Sequence, residues 1–207
     1  MNPFIHTLLC CALLLLTPKE LTEACSCATA HPQQQFCNAK FVIRAKVFGE
    51  KTIPSPDYFG TTIQYEIKMI KMFKGVENVT DINFVYTPAE SAACGKTLEQ
   101  KEYLLTGSYY DGRFSIGLCW LNVPWNSLTA FQIKSLTHPD TGYQRGCDCK
   151  IKYCGMESYD NLSPNECPCI AWEQSEMLEG EHACIKWRDG NCSWYPSMSD
   201  KTTSSHP

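Results

Sequence analysis

The sequence predicts a mainly β protein with short helices: a five-stranded barrel followed by a small disulfide-rich unit. Three observations predict it. Five short runs rich in β-branched and aromatic residues fall within about 80 residues, which favours a closed barrel over an open sheet. Cysteine spacing changes near Asp148. Cys25, Cys27, Cys37, Cys94, Cys119 and Cys147 are mostly far apart, whereas Cys149, Cys154, Cys167, Cys169, Cys184 and Cys192 crowd together. Charge changes at the same place: residues 25–147 carry 12 basic and 10 acidic side chains, and residues 148–207 carry 5 and 10. Six cysteines on each side let each part close its own bridges. The expected organisation is a leader over 1–24, a barrel unit over 25–147 and a cysteine-rich unit over 148–207.

The leader has an apolar run from Leu8 to Leu16, then Thr22-Glu23-Ala24 as a small-x-small cleavage signal. That is the pattern of a secretory signal peptide, and the run is too short to span a bilayer. Cys10 and Cys11 leave with it, so 12 of 14 cysteines remain. An even count in a secreted chain predicts disulfides rather than free thiols. The chain then carries 17 basic and 20 acidic residues, and no basic excess argues for nucleic acid.

Strands are expected at 41–48 (FVIRAKVF), 63–73 (IQYEIKMIKMF), 81–87 (DINFVYT), 102–107 (EYLLTG) and 113–119 (RFSIGLC). In the second, Ile63, Tyr65, Ile67 and Met69 share one parity while Ile70 and Met72 take the other, so a bulge is expected there. SYYDG (108–112) reads as a hairpin turn. Residues 127–136 read as a helix burying Leu128, Phe131 and Leu136. The tail after Tyr195 is polar and expected to be disordered. Arg44, Lys46, Lys68, Lys71 and Lys74 form a basic strip, either a solvated strand face or a site for sulfated matrix polysaccharide.

After cleavage the chain would begin CSCATAHPQQQFC. Cys25 at the terminus admits several chemistries. A free thiol with its own amine as base would be a nucleophile, as in amidohydrolases, but an oxidising compartment and an even cysteine count oppose a free thiol. No C-x-x-C is present for thiol–disulfide catalysis. CDCKIKYC and CPC lack zinc-finger spacing, and the histidines do not cluster. If Cys25 is disulfide-bonded, its backbone remains. A free α-amine has a pKa of about 7.7–8.0, so a useful fraction is neutral near pH 7. That nitrogen and the carbonyl oxygen of the same residue form a five-membered chelate suited to a zinc ion with an open position. The plain alternative is an anchored terminus.

CSC, His31-Pro32-Gln33 and Cys37, then VIRAK (42–46), YEIKMIKMFKG (65–75), FVYTP (84–88), CG (94–95), YLLTG (103–107), PWNSL (124–128), NEC (165–167) and CSWY (192–195) follow in order. These segments resemble the tissue inhibitors of metalloproteinases over nearly the whole chain beyond the leader. The resemblance implies a five-stranded OB-like, or netrin-like, barrel and a secreted inhibitor of zinc metalloproteinases that is no enzyme and has no cofactor of its own. It implies bridges Cys25–Cys94, Cys27–Cys119 and Cys37–Cys147. By position, the Cys25 amine and carbonyl would bind the zinc of the target protease, and Ser26 would enter its primed-side pocket. Cys27, Ala28 and Thr29 would lie along the groove, met from the other side by Ser91, Ala92 and Ala93. A non-inhibitory netrin-like module that binds matrix or a receptor is the alternative.

The chain departs from the family in three places. Thr29 stands where a proline is usual, which removes a fixed φ from the ridge. Tyr159 stands where a cysteine is usual, and Cys169 is added. Cys154–Cys169 with Cys149–Cys192 and Cys167–Cys184 is one pairing; Cys154–Cys167 with Cys169–Cys184 is another. The tail lacks the acidic run that some members use to dock latent proteases. Sequons occur at Asn78, Asn161 and Asn191, with Asn78 the preferred glycan site.

Overall fold

The computed structural model describes residues 25–55, 60–154 and 162–196. The leader, Tyr159, the Asn161 sequon and the tail beyond residue 196 lie outside the described residues. Six strands form one sheet: β1 (Phe41–Pro54), β2 (Thr61–Lys74), β3 (Phe84–Pro88), β4 (Glu102–Tyr110), β5 (Arg113–Ser115) and β6 (Val123–Pro124). Their order is β1-β2-β3-β5-β4-β6, and β1 also pairs with β4, so β1 to β5 close into a ring. The fold is therefore the expected five-stranded barrel, with β6 as a short addition beside β4.

Inward-facing residues alternate along β1, where Phe41, Ile43, Ala45 and Val47 are buried with Tyr65, Ile67, Val85, Leu105 and Phe114. Val42 on the other face is buried too, because a second cluster covers the barrel there: Phe36, Leu104, Leu136, Tyr143 and Ile185. This explains the unbroken apolar start of β1.

The parity slip expected in the second strand is real. Ala45 pairs with Met69 and Arg44 with Lys71, leaving Ile70 as an extra residue; Phe48 is extra on β1, between Val47 and Gly49. Both bulged side chains point to solvent. The turn expected over 108–112 forms but is confined to Asp111-Gly112, since Ser108–Tyr110 belong to β4. Tyr110 pairs with Arg113 across Asp111-Gly112, and both turn residues have positive φ (47° and 76°), the geometry two-residue hairpins favour.

Several boundaries differ from expectation: β1 runs to Pro54 rather than 48, β2 spans Thr61–Lys74 rather than 63–73, and β4 runs to Tyr110 rather than 107. β3 begins at Phe84 rather than 81, since Asp81 turns its carboxylate to the Ile82 N–H and caps the entry. β5 stops at Ser115 rather than 119, because Leu118 N–H bonds the Cys94 carbonyl and Cys119 is drawn to Cys27. The expected 127–136 helix is shorter. A 3-10 turn covers Trp125–Ser127, Thr129 caps reciprocally with Gln132, and α2 runs Ala130–Ser135. The same helix stripe still packs inward, with Leu136 buried and Leu128 and Phe131 partly so.

The remaining elements are α1 (Pro32–Asn38), α3 (Ser175–Glu181) and a hairpin of β7 (Ala183–Lys186) and β8 (Cys192–Tyr195). Around the hairpin, Ile151, Ile170, Leu178 and Trp194 pack with Cys149, Cys167, Cys184 and Cys192. Small cores of this kind depend on covalent staples. No helix among the described residues is long and apolar enough to cross a membrane.

Candidate functional site

Two segments distant in sequence meet at one end of the barrel. Residues 25–30 carry no regular structure, and Ser26, Cys27, Ala28 and Thr29 are all exposed. The second segment is a 3-10 turn, Ser91–Ala93, also exposed throughout. Cys25, only 7% exposed, is joined to Cys94 directly after that turn, with a Cα–Cα distance of 5.2 Å. Cys27 is joined to Cys119 at the same Cα–Cα distance. Closing a loop of 69 residues at Cys25–Cys94 is worth about 4 kcal/mol in the chain-entropy account. The eight residues named from the sequence thus lie in two segments tied together by the Cys25–Cys94 bridge, with the exposed Glu90 beside the second.

Local chemistry sets each segment. Cys94 caps the 3-10 turn in the left-handed region (φ 61°), its N–H bonded to the Ser91 carbonyl at 2.9 Å. Gly95 follows because nothing larger fits: a Cβ there would lie 2.2 Å from the Pro88 carbonyl oxygen and 2.8 Å from that of Glu90. On the first segment, the exit is fixed by α1. His31 caps it, accepting the Gln33 N–H on Nδ1, while Gln34 reaches back to the His31 N–H and Pro32 opens the first turn. Gln35 Nε2 also donates to the Ala30 carbonyl, at the end of the ridge.

α1 is the positioning element that sequence reading missed. Its signal, His-Pro-Gln-Gln, is a capping box with histidine in the place normally held by Ser, Thr, Asp or Asn. His31 is fully buried, and its Nε2 donates to the Leu178 carbonyl at 3.0 Å. Burial, with a smaller contribution from His182, pushes its pKa down to about 4 despite the Leu178 carbonyl. The ring is therefore neutral, one nitrogen donating and the other accepting.

The sulfurs of Cys25, Cys27 and Cys119 lie within 4.8 Å of one another. They belong to two disulfides, so none is a thiolate able to hold a metal, and Cys25 has no thiol for nucleophilic chemistry. The other bridges are Cys37–Cys147, Cys149–Cys192, Cys154–Cys169 and Cys167–Cys184. Of the two pairings open for Cys154, Cys167, Cys169 and Cys184, the structure contains the first.

The basic strip is smaller than the sequence suggests. Arg44 pairs with Glu102 and lies 4.2 Å from the Trp125 ring centroid; Lys74 donates to the Phe36 and Cys37 carbonyls at 3.2 and 2.6 Å. Those two cations serve packing. Lys46, Lys68 and Lys71 remain exposed, with Lys46 directly opposite Lys68. Asn78 sits exposed in a turn with φ 64°.

Comparison with known proteins places these features in a family. The family model described as tissue inhibitor of metalloproteinase matches residues 23–194. Metalloproteinase inhibitor 2 of Homo sapiens is 47% identical over 195 residues, covering 88% of this chain and 86% of the relative. The Bos taurus protein of the same name is 46% identical over 197 residues (89% and 87%). Metalloproteinase inhibitor 4 of Mus musculus is 45% identical over 194 residues (88% and 85%).

Proposed function

The chain belongs to the tissue inhibitor of metalloproteinase family and is a metalloproteinase inhibitor rather than an enzyme; from that premise we propose how it inhibits. Cleavage after Ala24 secretes the chain and uncovers the α-amine of Cys25. That nitrogen, when neutral, and the Cys25 carbonyl oxygen chelate the catalytic zinc of a target protease and displace its water. Ser26 enters the primed-side pocket. Cys27, Ala28 and Thr29 fill the groove on one side, and Ser91, Ala92 and Ala93 contact it on the other. Hydrolysis fails because the zinc meets a terminal amine, with no peptide bond on that side to cut.

The observation that carries this reading is the Cys25–Cys94 bridge. Cys25 is buried in that bridge, while the segment that follows it, Ser26–Thr29, is exposed, as is Ser91–Ala93 just before Cys94. A terminus held in this way loses little conformational entropy on binding. On this reading residues 25–147 are the inhibitory unit, residues 148–207 a second unit, and Asn78 a glycan site.

The test is to block the Cys25 amine, by carbamylation or one added N-terminal residue, and measure inhibition of a matrix metalloproteinase. Loss of inhibition is expected. Undiminished inhibition rejects chelation.

A second reading concerns matrix. Lys46 and Lys68 face each other across β1 and β2, an arrangement that costs stability in water and is relieved by a polyanion. Binding of the protein to immobilised heparin should therefore weaken with salt and on changing Lys46, Lys68 and Lys71 to Gln. Equal retention of that variant rejects this site.

A further inference from the structure

We propose that the exposed Cys27–Cys119 disulfide is a thiol-modification site that relays to the Cys25–Cys94 disulfide, so that one small thiol from solution disconnects the two segments of the ridge. The chemistry stands on the structure; its effect on protease inhibition rests on the reading above.

Both sulfurs of the outer bridge belong to exposed residues, Cys27 and Cys119. The inner bridge is guarded: Cys25 is buried and Cys94 half-buried. Yet Cys119 Sγ lies 4.0 Å from Cys25 Sγ, with no atom of another residue needed to carry the exchange between them. Disulfide exchange proceeds by attack of a thiolate on a disulfide sulfur, and access decides which bridge reacts first. The outer bridge is therefore the entry, and the inner one is within reach of its product.

The steps balance without an external oxidant. A glutathione-class thiolate attacks Cys27 Sγ; the new bond is glutathione to Cys27, and the broken bond leaves its electron pair on Cys119 as a thiolate. The Cys119 thiolate attacks Cys25 Sγ, forming Cys25–Cys119 and expelling Cys94 as a thiolate, which takes a proton from water. One thiol is consumed and one appears. The number of disulfides falls neither in the ridge nor overall, counting the mixed one at Cys27. What changes is connectivity: Cys25 stays anchored, but Ser91–Ala93 loses its tie to it. Cys94 is then held only by backbone, through its N–H on the Ser91 carbonyl and its own carbonyl on the Leu118 N–H.

The experiment exposes the purified full chain to glutathione, quenches with acid, alkylates free thiols and maps bridges by mass spectrometry. The expected early species carries glutathione on Cys27, a Cys25–Cys119 bridge and an alkylated Cys94. An early species alkylated at Cys119 with Cys25–Cys94 intact overturns the relay, as does first labelling of both Cys25 and Cys94. The double variant Cys27→Ser with Cys119→Ser supplies a second measurement. Removing the outer bridge should protect the inner one, slowing Cys94 labelling about tenfold or more. Equal or faster labelling overturns the proposal. The wild-type map stands even if that variant folds poorly. Because the map reads bonds, a chain that failed to chelate zinc would still give it; inhibition falling in step with Cys94 labelling tests the functional consequence separately.

Discussion

Gln33 holds the backbone of Cys184 by both ends of its side-chain amide: Nε2 donates to the Cys184 carbonyl and Oε1 accepts from the Cys184 N–H, each at 2.7 Å. The two residues are 151 positions apart, and both are buried. The amide acts as a substitute strand edge, tying α1 beside the ridge to β7. Gly146 seals the contact, since a Cβ there would fall 1.7 Å from the Cys184 carbonyl oxygen and 2.2 Å from Gln33 Nε2.

Gln33→Ala leaves a buried N–H and a buried carbonyl without partners. At about 1–3 kcal/mol for each unsatisfied group, a loss of about 2–6 kcal/mol is expected. Denaturant unfolding with disulfides intact should show a lower midpoint; an unmoved midpoint counts against the tie.

Stability should fall in mild acid through His31. Its folded pKa, about 4, lies below the unfolded value of 6.5, so the unfolded chain takes the proton first. The contribution is complete above about pH 6.5 and is lost as pH drops towards about 4, with at most about 3 kcal/mol at stake. His182 is also lowered by burial and acts in the same direction. The difference in unfolding free energy between pH 7 and pH 5 should shrink in His31→Gln. An undiminished pH slope in that variant would show that His31 does not carry it.

Inhibition should weaken in acid for a separate reason. Zinc and proton compete for the Cys25 nitrogen, so the inhibition constant should rise about tenfold per unit once pH is well below the amine pKa of about 7.7. After correction for the protease's own titration, a flat profile contradicts chelation.

Thr29→Pro should tighten binding by about two- to fivefold, because a fixed φ removes freedom from the unbound ridge. The measurement is the inhibition constant of both forms against one protease. Weaker inhibition by the proline form would mean that Thr29 needs a φ that proline denies, or its N–H.

The barrel was legible because its signals are local. Alternation marks β1 and β2, the parity slip at Ile70 marks a bulge, and Asp111-Gly112 marks a turn. Each depends on neighbours within a few residues. The ridge was legible in a different way, through resemblance: nothing in CSCATA or ESAAC alone says that the two segments meet. α1 escaped because histidine is an unusual cap, and the ends of β3 and β5 escaped because an Asp81 cap and the Cys27–Cys119 bridge stop them.

By itself the sequence determined the strand pattern, the even cysteine count and the family, since periodicity, composition and collinear motifs are properties of the chain. Tertiary structure alone decided which cations stay exposed, how Gln33 and His31 clasp residues more than 140 positions away, and that two disulfides lie within sulfur contact. Those are distances between parts of the chain that only closure of the barrel brings together, and no local pattern encodes them.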